Sequence, residues 1–285
     1  MTMLGIVLAA AMQNAVGLSG TINSALNEYN LSFDLAERVM VFARSEAEFR
    51  KARILIAERS SRGWSKPNLI SFSDERYADS DPWLTPDGRT LYFISDRPAV
   101  GRESDRTDYD IWRSTRTGHG WSAPEHLGPE VNSRGQELGP ELHDSVLYFS
   151  SARPTGRGGL DIYRAKVKGR SFEPAIPLGG GFNSASSDSD FTISVDGAAA
   201  MFWRSIGSVG TIHISYRGPD GWSSPAPLPT TINSGPFNFT PSFSHDGRWI
   251  RYSSTLERTG QLKGMADIYE AQMPSRRMLE ATPAR

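Results

Sequence analysis

The 285-residue chain carries 31 Lys and Arg against 32 Asp and Glu, a formal net charge of −1. That balance leaves no basic footprint for nucleic acid and no polybasic patch for an anionic membrane surface. Cysteine is absent, which excludes disulfides and thiolate metal sites and leaves oxidising and reducing compartments both open.

In chain order, residues 4–12 form an apolar run in which Ala9 and Ala11 have small-x-small spacing, as in the core and cleavage site of a signal peptide. Met1-Thr2-Met3 supplies no Lys or Arg ahead of it, and the run is too short for a transmembrane segment. Residues 1–13 therefore read as a signal peptide or an apolar N-terminal segment. The first reading makes the protein periplasmic or secreted; the second allows a cytoplasmic one.

Residues 14–274 read as a single domain, because one phrase recurs five times along them. Its fullest copy runs Val131-Asn132-Ser133, Glu137, Pro140-Glu141-Leu142, Leu147 to Pro154, Asp161-Ile162-Tyr163 and Phe172-Glu173-Pro174. Asn132 and Asn183 lie 51 positions apart, and Asn183 and Asn233 lie 50 apart. Each copy predicts four strands. The first is short, over 31–33, 82–85, 140–142, 191–194 and 241–244. Asp-Gly often follows it, at Asp87-Gly88, Asp196-Gly197 and Asp246-Gly247, as a hairpin turn in which Gly takes positive φ without cost. The second strand is the most apolar (39–42, 90–94, 146–149, 200–203 and 249–252). The third covers 54–57, 111–114, 162–165, 212–215 and 268–271. The fourth lies around Trp64 to Pro67, Trp121 to Pro124, Phe172 to Pro174 and Trp222 to Pro225, where Pro suits an outer edge. Self-similarity at this period, in short strands cut by Gly, Pro and Asp-Gly, is the pattern of an all-β, five-bladed β-propeller of four-stranded antiparallel blades. The fifth copy stops after its third strand. Residues 16–22 precede the first Asn-Ser turn and are placed to supply the missing strand, closing the ring and removing its edge. Residues 275–285 read as a frayed tail.

Two residue sets stand out within the repeat. Arg97 with Asp110, and Arg153 with Asp161, occur together in copies two and three, while copies one and four carry Glu46 with Arg53 and Ile206 with Thr211. Joint presence and absence predicts an ion pair clamping the loop between second and third strands. The second set, Glu28, Asp79, Glu137, Asp188 and Asn238, lies just ahead of the innermost strands and is expected to ring the axial funnel, with Asp81 and Asp190 two positions later. Such carboxylates can cap their own turns. They can also hold a divalent cation through hard oxygen ligands, or, as Asp79, Asp81, Glu137 and Asp188, supply the acid and base of a glycosidase. No other cofactor is called for. Arg102 and Arg106 belong to a charged insertion in copy two, and Phe237 places an aromatic beside Asn238. Loops on a rigid scaffold are where binding residues concentrate, so these complete the candidate ligand-binding set. The five histidines show no metal-ligand spacing, and no G-x-S-x-G elbow is present.

The stretches Ser80 to Phe93 and Glu137 to Tyr163 resemble the WD40-like propeller repeat known as PD40, found in TolB-like proteins of the bacterial envelope. The resemblance covers about residues 23–273. It implies a propeller, export to the periplasm or cell surface, and a binding scaffold for protein partners or envelope components. The residues and the resemblance together leave two functions open. One is a non-enzymatic, monomeric binding scaffold that presents one face to a protein or glycan of the cell envelope. The other is a carbohydrate-active hydrolase that uses the funnel carboxylates.

Overall fold

The second strand of each repeat is buried on both of its faces, and this dictates the architecture. Val41 and Phe42, Tyr92 and Phe93, Tyr148 and Phe149, and Met201 and Phe202 are adjacent residues that point to opposite faces, and all are buried. A sheet apolar on both sides needs a neighbour on both sides, and a ring of stacked sheets provides it. The computed structural model, which describes residues 16–18, 22–99, 108–257 and 266–276, is such a ring: five small antiparallel sheets arranged as a five-bladed β-propeller.

The inner strands are Asn27–Phe33, Asp79–Leu84, Glu137–His143, Asp188–Ile193 and Asn238–Phe243. The second strands are Val39–Ser45, Thr90–Ser95, Val146–Ser151, Ala199–Ile206 and Trp249–Ser254. The third strands are Arg53–Ser60, Asp110–Thr117, Asp161–Lys168, Val209–Gly218 and Asp267–Gln272. In blades one to four the outer strand is two short pieces, such as Gly63–Trp64 and Asn68–Leu69, both paired with the third strand. The Pro between the pieces, at Pro67, Pro124, Pro174 and Pro225, has no N–H to donate to the ladder. The expected Asp-Gly turns are present, with Gly88, Gly197 and Gly247 all near φ +68.

Ring closure follows the sequence expectation. Val16–Gly17 pairs antiparallel with the third strand of blade five, Val16 opposite Glu270 and Gly17 opposite Tyr269. Leu18 N–H then donates to the Ile268 carbonyl at 3.0 Å. The apolar clusters lie at the seams between blades. Val41, Ile54, Leu91 and Phe93 fill the seam between blades one and two, and Ile22, Met40, Phe42, Leu55 and Ile268 fill the closing seam.

The Asn of the Asn-Ser turn does more than turn the chain. Asn183 Oδ1 accepts the Ile162 N–H at 2.7 Å and its Nδ2 donates to the Ile162 carbonyl at 2.9 Å. Asn132 does the same to Ile111, Asn233 to Ile212, and Asn23 to Ile268 across the closing seam. Each amide thus imitates a neighbouring strand and joins one blade to the blade before it. At the seam between blades one and two, where the repeat has Asp74, the Arg53 guanidinium takes this place by donating to the carbonyls of Tyr77 and Glu75.

One expectation is corrected. The inner strands begin three or four residues earlier than their sequence pattern, because each carries a bulge. The register shifts between Tyr29 and Ser32, Ser80 and Trp83, Leu138 and Glu141, Ser189 and Thr192, and Phe239 and Ser242. Within every bulge one residue has left-handed backbone: Asn30, Asp81, Gly139, Asp190 and Thr240, with φ between 47° and 55°. A bulge bends its strand and re-aims the side chain it carries.

Candidate functional site

The five bulges converge on the axis and form its narrowest point. Above them, at the end bearing the Asn-Ser turns, lies a funnel of about 410 Å³ lined by Tyr29, Phe49, Tyr109, Trp203, Phe237 and Phe239, with Asp81 and Asp190 at its floor. Below them a channel of about 50 Å³ passes between Asn30, Asp81, Gly139, Asp190 and Thr240. That is room for a water or two and nothing larger. A second mouth, at the hairpin end, contains Trp83, Glu141, His143 and His245.

The first ring of acids is not in the funnel. Glu28, Asp79, Glu137 and Asp188 are fully buried, and each meets an arginine instead. Arg97 Nη2 donates to both oxygens of Asp79 at 2.6 and 2.7 Å. Arg44 pairs with Glu28, Arg153 with Glu137 and Arg204 with Asp188. Glu28, Glu137 and Asp188 also accept the N–H and hydroxyl of Ser24, Ser133 and Ser184, so they cap their own turns. Burial pushes all four carboxyls up, while the serines and arginines pull them back. Asn238 closes the series in blade five with an uncharged version, accepting from Ser254 Oγ and the Gly235 N–H. These five residues hold the turns and inner strands in place.

The expected pairing of Arg97 with Asp110 and Arg153 with Asp161 is therefore overturned. Asp110 meets His126 at 3.1 Å, and Asp161 accepts the backbone N–H groups of Arg157 and Gly158. The arginine is not lost in copies one and four. It stands directly opposite the acid as Arg44 and Arg204, whereas in copies two and three serines occupy that place and the arginine follows two residues later.

Asp81, Asp190 and Phe237 do line the funnel. Asp81 Oδ2 accepts the Gly139 N–H of the next blade at 3.0 Å and Oδ1 accepts Ser80 Oγ at 2.9 Å. Asp190 Oδ2 accepts the Thr240 N–H of the next blade at 3.1 Å. A Cβ on Gly139 would come within 3.2 Å of Asp190 Oδ1, so the Gly139 backbone lies between the two carboxyls. Burial pushes Asp81 up to about 6. It pushes Asp190 up to about 7, helped by the negative charge of Asp81 across the axis. Arg102 and Arg106 lie outside the described residues. Among the described residues, no group of three His, Asp or Glu side chains comes together as cation ligands.

The aromatic wall escaped the sequence reading except for Phe237. Its rings touch in sequence: Trp203 with Phe237 at 5.2 Å, Phe237 with Phe239 at 5.1 Å, Phe239 with Phe49 at 5.7 Å, and Phe49 with Tyr29 at 5.2 Å. Only glycine fits at 210, where a Cβ would collide with Trp203 Nε1 and the Phe237 ring. Glu141 was also passed over. It sits below the constriction, accepts the Ile193 N–H at 2.9 Å, and burial pushes it up to about 7.

The Asp190 environment sets a pH dependence. Its carboxyl holds a proton more tightly in the folded chain than in the unfolded one, where it titrates near 4. Between about pH 4 and 7 the folded state therefore binds more protons, and Asp190 lowers stability as pH rises. Asp190→Asn is expected to raise the urea midpoint more at pH 7.5 than at pH 5. An equal change at both pH values would show that the carboxyl is not perturbed.

No protein-family model matches the sequence, and no curated protein is significantly similar to it. Several solved structures are similar in fold. TolB from Acinetobacter baumannii is 15% identical, with a TM-score of 0.52 over 89% of this chain and 56% of that one, so this chain spans little more than half of its length. The two share a β-propeller fold. An alpha-L-arabinofuranosidase from Lactobacillus brevis, 13% identical, gives a TM-score of 0.56 over 88% of this chain and 92% of that one. A thermostable family-43 glycoside hydrolase, 10% identical, gives 0.58 over 88% and 90%. At such identities the likeness is one of fold, and function rests on the site.

Proposed function

We propose that this chain is a non-enzymatic binding scaffold that receives part of a protein or glycan partner in the aromatic funnel, in the periplasm or outside the cell. One observation carries this reading: among the described residues, each inner-strand carboxylate expected to ring the funnel has a partner within the fold. Four are tied to arginines, and Asp81 and Asp190 accept backbone N–H groups of the next blade. A concave wall of contacting aromatic rings above a narrow floor is a recognition surface of the kind that stacks on sugar or anchors an apolar side chain.

A second reading, glycoside hydrolysis, is favoured by the raised carboxyls of Asp81 and Asp190, since one acid must hold a proton near neutrality. The test compares wild type with Phe237→Ala, Asp81→Asn and Asp190→Asn on a glycan array, against chemically cross-linked envelope proteins, and with aryl α-L-arabinofuranosides. Binding that falls at least tenfold in Phe237→Ala, without hydrolysis, is the expected result. Hydrolysis that falls a hundredfold or more in either Asp variant replaces the scaffold with the enzyme. Binding unaltered in all three moves the site off the funnel.

A further inference from the structure

The inner strands contain their own comparison. Where this fold buries a carboxylate at the head of an inner strand it also supplies a guanidinium, as it does for Glu28, Asp79, Glu137 and Asp188. Asp81 and Asp190 break that habit. They lie at the funnel floor with the Gly139 backbone between them, their only described partners are N–H and O–H groups, and no described Lys or Arg pairs with either. The rim arginine, Arg50, is exposed and leans on Glu48 at 3.6 Å. Two negative charges at the bottom of a desolvated pit are unfavourable without a counter-charge.

From this we infer that the funnel accepts an organic cation, the ammonium or guanidinium end of an amine or a basic side chain, with its charge at Asp81 and Asp190 and its carbon stem against the aromatic wall. This rests on the reading of the funnel as a binding site and names the chemistry of what enters it. Each carboxylate offers about four lone-pair directions. Two are in use on Asp81, by Gly139 and Ser80, and two on Asp190, by Thr240 and Ser189. The remaining directions are available to an N–H donor from outside. The walls favour a carbon-bearing cation over a metal ion. Tyr29, Phe49, Trp203, Phe237 and Phe239 present ring carbon, which attracts an ammonium or guanidinium through the ring quadrupole and shelters its methylene stem. A hard cation needs a shell of six or more oxygens. The Tyr29 hydroxyl joins wall to floor through Ser80: its oxygen lies 3.0 Å from Ser80 Oγ, which donates its one hydrogen to Asp81 Oδ1 at 2.9 Å.

The experiment is calorimetric titration at pH 8 and low salt with hexylamine, 1-hexanol, N-acetyl-lysinamide and calcium chloride. It uses wild type, Phe237→Ala and the double variant Asp81→Asn with Asp190→Asn. Asparagine keeps an oxygen to accept the Gly139 and Thr240 N–H groups, and thermal unfolding checks that the double variant folds. Hexylamine is expected to bind wild type at least tenfold more tightly than 1-hexanol. That preference should vanish in the double variant, and Phe237→Ala should weaken amine binding severalfold. N-acetyl-lysinamide binding as well as hexylamine assigns the site to a polypeptide side chain; binding of hexylamine alone assigns it to a free amine. Equal binding of amine and alcohol overturns the cation while leaving the funnel as an apolar binding site. Calcium that binds and displaces the amine makes it a metal site and overturns the proposal. No binding of either amine also overturns it, and the partner-binding result for Phe237→Ala then decides the scaffold reading separately.

Discussion

Arg97→Ala is expected to destabilise the protein by about 3–5 kcal/mol, the usual effect of removing one member of a buried ion pair. Asp79 is wholly buried, and Arg97 is its only described partner in a salt bridge, holding both of its oxygens. The guanidinium also lies over the rings of Phe72, Tyr77, Phe93 and Trp112 at 5.2–5.9 Å, so the truncation removes packing along with charge. Replacing both partners, with Asp79→Asn and Arg97→Met, should cost clearly less than Arg97→Ala, because no charge is then left stranded. Urea denaturation of the three variants measures this. A double variant at least as unstable as Arg97→Ala would refute the pairing as the source of the effect.

Removing residues 1–22 is expected to lower stability by about 4 kcal/mol. Roughly 2 come from the burial of Ile22, which is 2% exposed. About 1 comes from each of two backbone hydrogen bonds to the last blade, one being Leu18 N–H to the Ile268 carbonyl. The truncation also uncovers the edge of Asp267–Gln272, a strand whose other face is core. An unpaired edge of that kind recruits other chains, so concentration-dependent light scattering should accompany the lowered urea midpoint. A truncated protein that unfolds at the wild-type urea concentration would mean that the first strand does not seal the ring.

The fold was legible because its signal is repeated. Strand types, blade number and the closing segment all follow from comparing five copies, since an error in one copy is outvoted by the others. The site was less so, for a local reason. The residues at the bulges interrupt the alternation that marks a strand, so Asp79, Ser80 and Asp81 fall outside the strand expected over 82–85, although the strand begins at Asp79. The reading gave the axis to Glu28 and its counterparts along with Asp81 and Asp190, whereas the first set is turned away from the funnel and Asp81 and Asp190 line it. The arginine partners were hidden by the same kind of shift: Arg44 and Arg204 sit two positions from the column that Arg97 and Arg153 occupy. Tyr29 and Phe239 could have been found, as they share a column with Ser80, Leu138 and Ser189. Phe49 comes from a short 3-10 helix and Trp203 from the middle of a second strand, outside that column, and no sequence pattern marks them as part of the wall.

The left-handed backbone at the five bulges acts as a filter on mutation. For most L-residues that conformation costs roughly 1–2 kcal/mol, and only Gly, Asn and Asp escape much of the penalty. Four of the five positions hold one of those three, as Asn30, Asp81, Gly139 and Asp190, and Thr240 is the exception. The chain's narrowest passage can therefore exchange charge for amide or for bare backbone at little conformational cost, while aliphatic residues are discouraged before any ligand is involved. Homologous propellers that keep these bulges should vary at the axis within this short polar alphabet and diversify freely in the rings above it.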